Sequence, residues 1–261
     1  MRTLFHCIFA LLLISGGAER VVVYDNFLPW QQQHIVPVIH NLEYFQVSAL
    51  IDALDGIRCC TVSLRHASAL TSLKDLTEQF GPYCDVGVST VVSTNQVHYL
   101  FSNSHDIDLA NKCINDCFFC IQITKAETNG ALFISTMFNS KALITESKKL
   151  DMPILCGVSS LDEARQALIW GAEALKIYPA PAVRPDALAA MINDLRNDGT
   201  LQASNVTDII VAGSVSQDDF GAYLAAGATN FAVGFDCQKM TPRQIGLRIK
   251  ELTKVYNSIR K

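Results

Sequence analysis

No cluster of lysine and arginine occurs anywhere in the 261 residues, and the formal net charge is −4. Without a basic stripe there is no electrostatic footprint for a phosphate backbone, so nucleic-acid binding is set aside. Long apolar runs are equally scarce. The one candidate, residues 4–14, is too short for a comfortable transmembrane helix, so no stable membrane insertion is expected of the mature chain. A Gly-rich dinucleotide loop is missing after the first strand-like run, which argues against an open doubly wound sheet without removing it as an alternative. Also lacking is any sign of a disulfide-stapled mini-domain, because nearly half of the residues are hydrophobic and a core can form without staples.

The first twenty residues differ in kind from the rest. Arg2, the apolar run and then Ser15-Gly16-Gly17-Ala18 fit a secretory signal with cleavage after Ala18. An organelle-targeting leader, or a wrongly assigned N-terminus, are the other readings, so the compartment stays open: secretory pathway, organelle or cytoplasm. In a secretory setting Asn205-Val-Thr207 would be a glycosylation acceptor. Of nine cysteines, Cys7 would leave with the leader. Cys59, Cys60 and Cys156 lie in strand-like runs, where cysteine behaves as a small hydrophobe. Cys113, Cys117 and Cys120 sit at helical spacing around Ile114 and Phe118. That spacing suits a buried apolar stripe better than a zinc site, since no fourth ligand is identifiable nearby.

From about His34 onward, short β-branched runs alternate with amphipathic stretches. Strands are expected at 34–39, 57–63, 84–88, 131–135, 153–158, 174–178, 208–212 and 230–233, and helices at 42–54, 68–80, 161–170, 184–196, 217–226 and 244–259. Glycines 56, 130, 171 and 227 stand where helices end and strands begin. Eight βα units predict one α/β domain over residues 21–261, a closed (β/α)8 TIM barrel. The interval between Thr94 and Gly130 is too long for one helix, so residues 103–125 read as an insertion.

Barrel enzymes place their chemistry at the C-terminal ends of the strands. On strand six, period two puts Ala174, Lys176 and Tyr178 on one face and Leu175 and Ile177 on the other. The apolar pair suits the helix layer, which sends Lys176 inward. A buried lysine is either held by a salt bridge or is an amine whose pKa falls until it can attack a carbonyl. On strand two, Thr61, Ser63 and Arg65 share a face, and Arg65 reaches the mouth, where a guanidinium can grip a carboxylate. Gly87-Val-Ser-Thr90 adds hydroxyls. Gly213-Ser-Val-Ser216 and Gly234, after strands seven and eight, supply the small residues and free N–H groups of a phosphate seat.

These segments resemble the family of 2-keto-3-deoxy-6-phosphogluconate (KDPG) and 2-keto-3-deoxy-6-phosphogalactonate (KDPGal) aldolases. The resemblance rests on Pro153-Ile-Leu-Cys-Gly-Val-Ser159, on Gly171-Ala-Glu-Ala-Leu-Lys-Ile-Tyr-Pro-Ala180 and on Ala222-Tyr-Leu-Ala-Ala-Gly-Ala228, and continues more weakly through Val36-Pro-Val-Ile39 and Thr61-Val-Ser-Leu-Arg65. It implies a Schiff-base lyase of carbohydrate metabolism that cleaves a keto-deoxy sugar acid phosphate to pyruvate and glyceraldehyde 3-phosphate. It also implies no cofactor, no metal and a homotrimer. Carried over by position, Lys176 is the Schiff-base lysine, Arg65 the carboxylate-binding group and Thr90 a pyruvate-side hydroxyl. Tyr178 stands where the family usually has Phe, and Gly213, Ser214, Gly234 and Phe235 fall at the phosphate end.

The chain departs from the family at identifiable points. Thr61 replaces the family's Glu, the acid/base group, and a threonine cannot take that role near neutral pH. Ser214 replaces a second glycine, Phe235 a serine and Thr136 a proline. Asp236 follows, and a carboxylate there would repel a phosphate. His66 is a conceivable substitute base, but strand parity turns it away. A weakly active or inactive relative that binds a keto acid or sugar acid phosphate is therefore the alternative reading, and an unrelated phosphate-binding barrel enzyme the more distant one.

Overall fold

A computed structural model describes residues 28–66, 68–91 and 127–260. The expected leader, the 103–125 insertion and the cysteine triplet lie outside the described residues. Among those described, no helix is long and apolar enough to cross a membrane.

Eight parallel strands close in sequence order into a barrel. They are β1 (Ile35–His40), β2 (Cys59–Ser63), β3 (Asp85–Val91), β4 (Ile134–Thr136), β5 (Ile154–Val158), β6 (Ala174–Ile177), β7 (Ile209–Ala212) and β8 (Asn230–Asp236). Around them lie α1 (Val47–Ala53), α2 (Ala69–Phe80), α3 (Lys141–Lys149), α4 (Leu161–Trp170), α5 (Pro185–Asn197), α6 (Thr200–Ser204), α7 (Phe220–Ala225) and α8 (Pro242–Ile259). The expected (β/α)8 barrel is the observed fold. Closure is made by β1 and β8, paired in register from Ile35 with Phe231 to His40 with Asp236.

Local chemistry sets where these helices begin and end. In α4 the Ser160 hydroxyl accepts from the Glu163 N–H and the chain leaves the helix at Gly171 with φ of 89°. A cap of this kind is worth about 1 kcal/mol. Between the ends, Ala164, Ala167 and Leu168 recur at helical spacing and are buried against the strands. In α8, Thr241 and Gln244 form a reciprocal capping box with Pro242 at the first helical position.

Strand parity splits the core in two. One layer, between strands and helices, contains Ile39, Val62, Val88, Ile134, Leu175 and Phe235. The other fills the barrel with Val36, Cys59, Phe133, Leu155, Ala174, Ile210 and Ala232. Trp30 closes this inner layer at the N-terminal end, fully buried and edge-on to Phe133 at 5.6 Å. The Asn230 amide donates to the Trp30 carbonyl (3.0 Å), which holds the plug in place. Cys59, Cys60, Cys84, Cys156 and Cys237 are buried free thiols, as a small-hydrophobe role predicts. With the N-terminal end plugged by Trp30, the interior opens, among the described residues, at the C-terminal ends of the strands.

Candidate active site

At that open end lies a cavity of 430 Å³, lined by residues of β1, β3, β4, β6, β7 and β8 and the loops that follow them. Lys176 stands in its wall, only 5% exposed, with its Nζ donating to the Ser135 hydroxyl at 3.0 Å. Its ammonium also lies 5.3 Å from the centre of the Tyr178 ring. No carboxylate pairs with it among the described residues, so the salt-bridged reading of this lysine fails. Burial pushes the amine down from its ordinary 10.5 to about 7, with the Cys156 thiol opposing and the Arg65 guanidinium adding to the shift. Near neutral pH much of Lys176 is therefore a free amine, the form that attacks carbonyls.

Arg65 lines the same cavity from the turn after β2, exposed, with Nη2 3.2 Å from the Met137 sulfur. Its remaining donors are available for an anion. Thr90 also lines the wall, and it is a β-branched residue held at φ of 62° where β3 slips register against β4. Such a backbone costs on the order of 1–3 kcal/mol and is kept where neighbours over-determine it. On the opposite side Gly213 and Ser214 take successive positive φ values, 81° and 57°. A side chain at 213 would collide with the Tyr178 ring (2.6 Å), so glycine lets the β7 turn close over that ring. Ser214 takes the left-handed backbone without glycine's freedom.

Other expected site residues fall outside the cavity. Phe235 is 2% exposed and packs in the outer layer among the helices, because β8 runs on to Asp236 and parity turns position 235 away from the interior. Thr136 is fully buried; its hydroxyl accepts from the Gly157 N–H (2.9 Å) and donates to the Phe138 carbonyl (3.0 Å), so it ties β4 to β5. Thr61 faces inward but does not line the cavity. It is paired with Gly87, two residues before the Ser63–Ser89 pair in the β2–β3 register. Its hydroxyl, like those of Ser63 and Ser89, is buried without a protein partner among the described residues. His66 bonds Ser68 and Glu43, outside the cavity.

Among the lining residues that strand periodicity did not single out are Ser135, the partner of Lys176, and a titratable one. His40, the last residue of β1, faces the cavity with Val38. A Cβ on Gly234 would stand 2.9 Å from its Nε2, so the bare backbone of β8 is what leaves room for the imidazole. Asp236, its register partner, also lines the cavity and accepts from the Asn41 amide (2.9 Å) and the Gln238 N–H (3.0 Å), with the Lys239 ammonium at 3.4 Å. The period-two rule that found Lys176 would have found His40, had strand one been extended by a residue.

No family model matches the chain. A protein of Rhizobium meliloti (strain 1021), described as a probable 2-dehydro-3-deoxy-6-phosphogalactonate aldolase, is 23% identical over 214 residues, covering 81% of this chain and 85% of the relative. Among solved structures, a native KDPGal structure is 17% identical and superposes with a TM-score of 0.70 over 89% of this chain and 99% of the other. The KDPG aldolase of Legionella pneumophila, captured with pyruvate as a covalent carbinolamine, is 19% identical with a TM-score of 0.55 over 86% and 91%. The chain is thus similar in sequence, over most of its length, to a probable KDPGal aldolase, and it shares the fold of the KDPGal and KDPG aldolase structures.

Proposed function

We propose that this protein is a Schiff-base aldolase, a carbon–carbon lyase, in which Lys176 forms an imine with the ketone of a 2-keto acid. The observation that carries the reading is the amine itself: a lysine without a carboxylate partner, buried at the wall of the barrel's open cavity and shifted to about 7. Arg65 takes the substrate carboxylate by paired hydrogen bonds, with Thr90 beside it. Ser135 holds the amine in place for attack. Once protonated, the imine draws electrons from the adjacent bond, so that the carbon–carbon bond breaks and pyruvate leaves after hydrolysis. The substrate class is a 2-keto-3-deoxy sugar acid, with the 6-phosphates of the relatives as first candidates, giving glyceraldehyde 3-phosphate as the second product. The phosphate end would be formed by Gly213, Ser214 and Gly234. A homotrimer is the assembly that the resemblance suggests.

A second reading is favoured by one observation. Thr61 stands where the relatives' acid/base carboxylate is expected and brings only an unpartnered hydroxyl, which fits a protein that binds keto acids and turns over slowly. Borohydride reduction in the presence of pyruvate separates a Schiff-base protein from an unrelated barrel. Intact mass should rise by one reduced pyruvyl adduct in the native protein and stay unchanged in Lys176→Ala. Absence of an adduct in the native protein would remove the aldolase reading.

A further inference from the structure

A cleavage that runs through an imine needs a second group. The proton on the substrate hydroxyl beside the breaking bond must go somewhere, and the enamine left behind must gain one at its terminal carbon. Thr61 cannot do either. The titratable side chains that line the cavity among the described residues are His40, Arg65, Lys176, Tyr178 and Asp236. Lys176 is consumed in the imine, and Arg65 presents N–H donors and no acceptor. Asp236 is committed to Asn41, the Gln238 N–H and Lys239, interactions that hold its carboxyl below the usual range and make it a poor base. Tyr178 turns its ring toward the Lys176 ammonium and packs under the Gly213 turn.

His40 is different. Neither ring nitrogen has a hydrogen-bond partner among the described residues, while the ring is held across the bare backbone at Gly234, inside the same cavity as Lys176. Resting on the Schiff-base reading of Lys176, we infer that His40 is the catalytic proton-transfer residue of this site, taking over the work that a carboxylate at position 61 would do.

The free ring nitrogen of His40 takes the hydroxyl proton, the O–H pair becomes the new carbonyl, and the carbon–carbon bond breaks. Its electrons form the enamine double bond as the iminium nitrogen accepts the displaced pair. The imidazolium then returns its proton to the enamine carbon, and water releases pyruvate and the free lysine. Electrostatics suit a base. Burial lowers the His40 pKa from 6.5, the Arg65 charge on β2's turn lowers it further, and only Asp236 on β8 opposes. The ring is neutral at pH 7 and ready to accept. The flanking Lys239 charge is spent on Asp236.

Pyruvate alone tests this, because its methyl protons exchange with D2O faster than in protein-free buffer when the imine forms and a base then removes a proton from the adjacent carbon. In the native protein both borohydride trapping and methyl exchange should occur. In His40→Asn trapping should persist, which also reports an intact site, while exchange falls by roughly a hundred- to ten-thousand-fold. Gly234→Ala, which pushes the ring from its seat, should slow exchange with trapping retained, and Thr61→Glu added to His40→Asn should restore part of it. Full exchange in His40→Asn with trapping intact would overturn the role of His40 alone. Absence of trapping in the native protein would overturn the Schiff-base reading on which it stands.

Discussion

Across the mouth of the cavity, the wall formed by β2, β4 and β6 and the wall formed by β7, β8 and β1 carry opposite chemistry. The first carries Arg65, Ser135 and Lys176, a guanidinium beside an amine shifted by burial, but at position 61 on β2 it has a threonine where the aldolase resemblance calls for a carboxylate. The second holds Gly213, Ser214, Gly234, His40 and Asp236, a strained turn and a carboxylate where a phosphate seat is expected. The difference teaches that the two halves of one site answer to separate demands. On the Schiff-base reading, the lysine and the group beside it that takes a carboxylate stay on the first wall, whereas proton transfer and recognition of the far end of a substrate fall to the second.

The largest expected effect breaks the lysine wall. Lys176→Ala should abolish both trapping and any cleavage, since the covalent step has no other amine within the cavity among the described residues. A graded version uses pH. Lys176 has a folded pKa near 7 against 10.5 when exposed, so the reactive free amine grows as pH rises through 7, and the initial rate of imine formation should climb over that interval and then level off. The same shift has a stability sign. The unfolded chain binds the proton between about 7 and 10.5 and the folded chain does not. Stability should therefore rise with pH across that window, at about 1.4 kcal/mol per unit of pKa difference, and Lys176→Met should flatten that slope in denaturant titrations.

Next in size is the far wall. Charges a few ångström apart near a protein surface interact by about 1–4 kcal/mol, so Asp236→Ser should raise kcat/KM for a phosphorylated sugar acid relative to its unphosphorylated form by about tenfold or more. An unchanged ratio would mean that the phosphate, if one binds, lies away from Asp236. Smaller still are stability effects. Thr61→Val removes a buried hydroxyl that has no protein partner among the described residues and should raise stability by about 1 kcal/mol with trapping unaffected. Ser214→Gly relieves a left-handed backbone at φ of 57°, a gain of a few tenths to about 1 kcal/mol visible in Tm.

The same comparison explains what could be read from the sequence. Periodicity located all eight strands, because each alternates between an interior and a helix-facing layer, and it aimed Lys176 correctly. What it missed lies at strand ends. Strand one was expected to stop at 39 and strand eight at 233, but they run to His40 and Asp236. One more residue on the first brings His40 into the cavity. Three more on the last place Gly234 and Asp236 inward and Phe235 outward. Strand four likewise reaches Thr136, whose hydroxyl is spent on the neighbouring backbone. Strand ends are set by pairing with neighbours, a long-range event that local pattern does not encode, and in a barrel those ends are the site.

On the Schiff-base reading, the Lys176 amine is the covalent centre. Reduction of the native protein with borohydride and pyruvate, followed by peptide mapping, measures it directly. A single modified lysine is expected, Lys176, in the segment from Ala174 to Ile177. Modification of any other lysine, or an unmodified Lys176 in protein that still cleaves a keto-deoxy sugar acid, would contradict it.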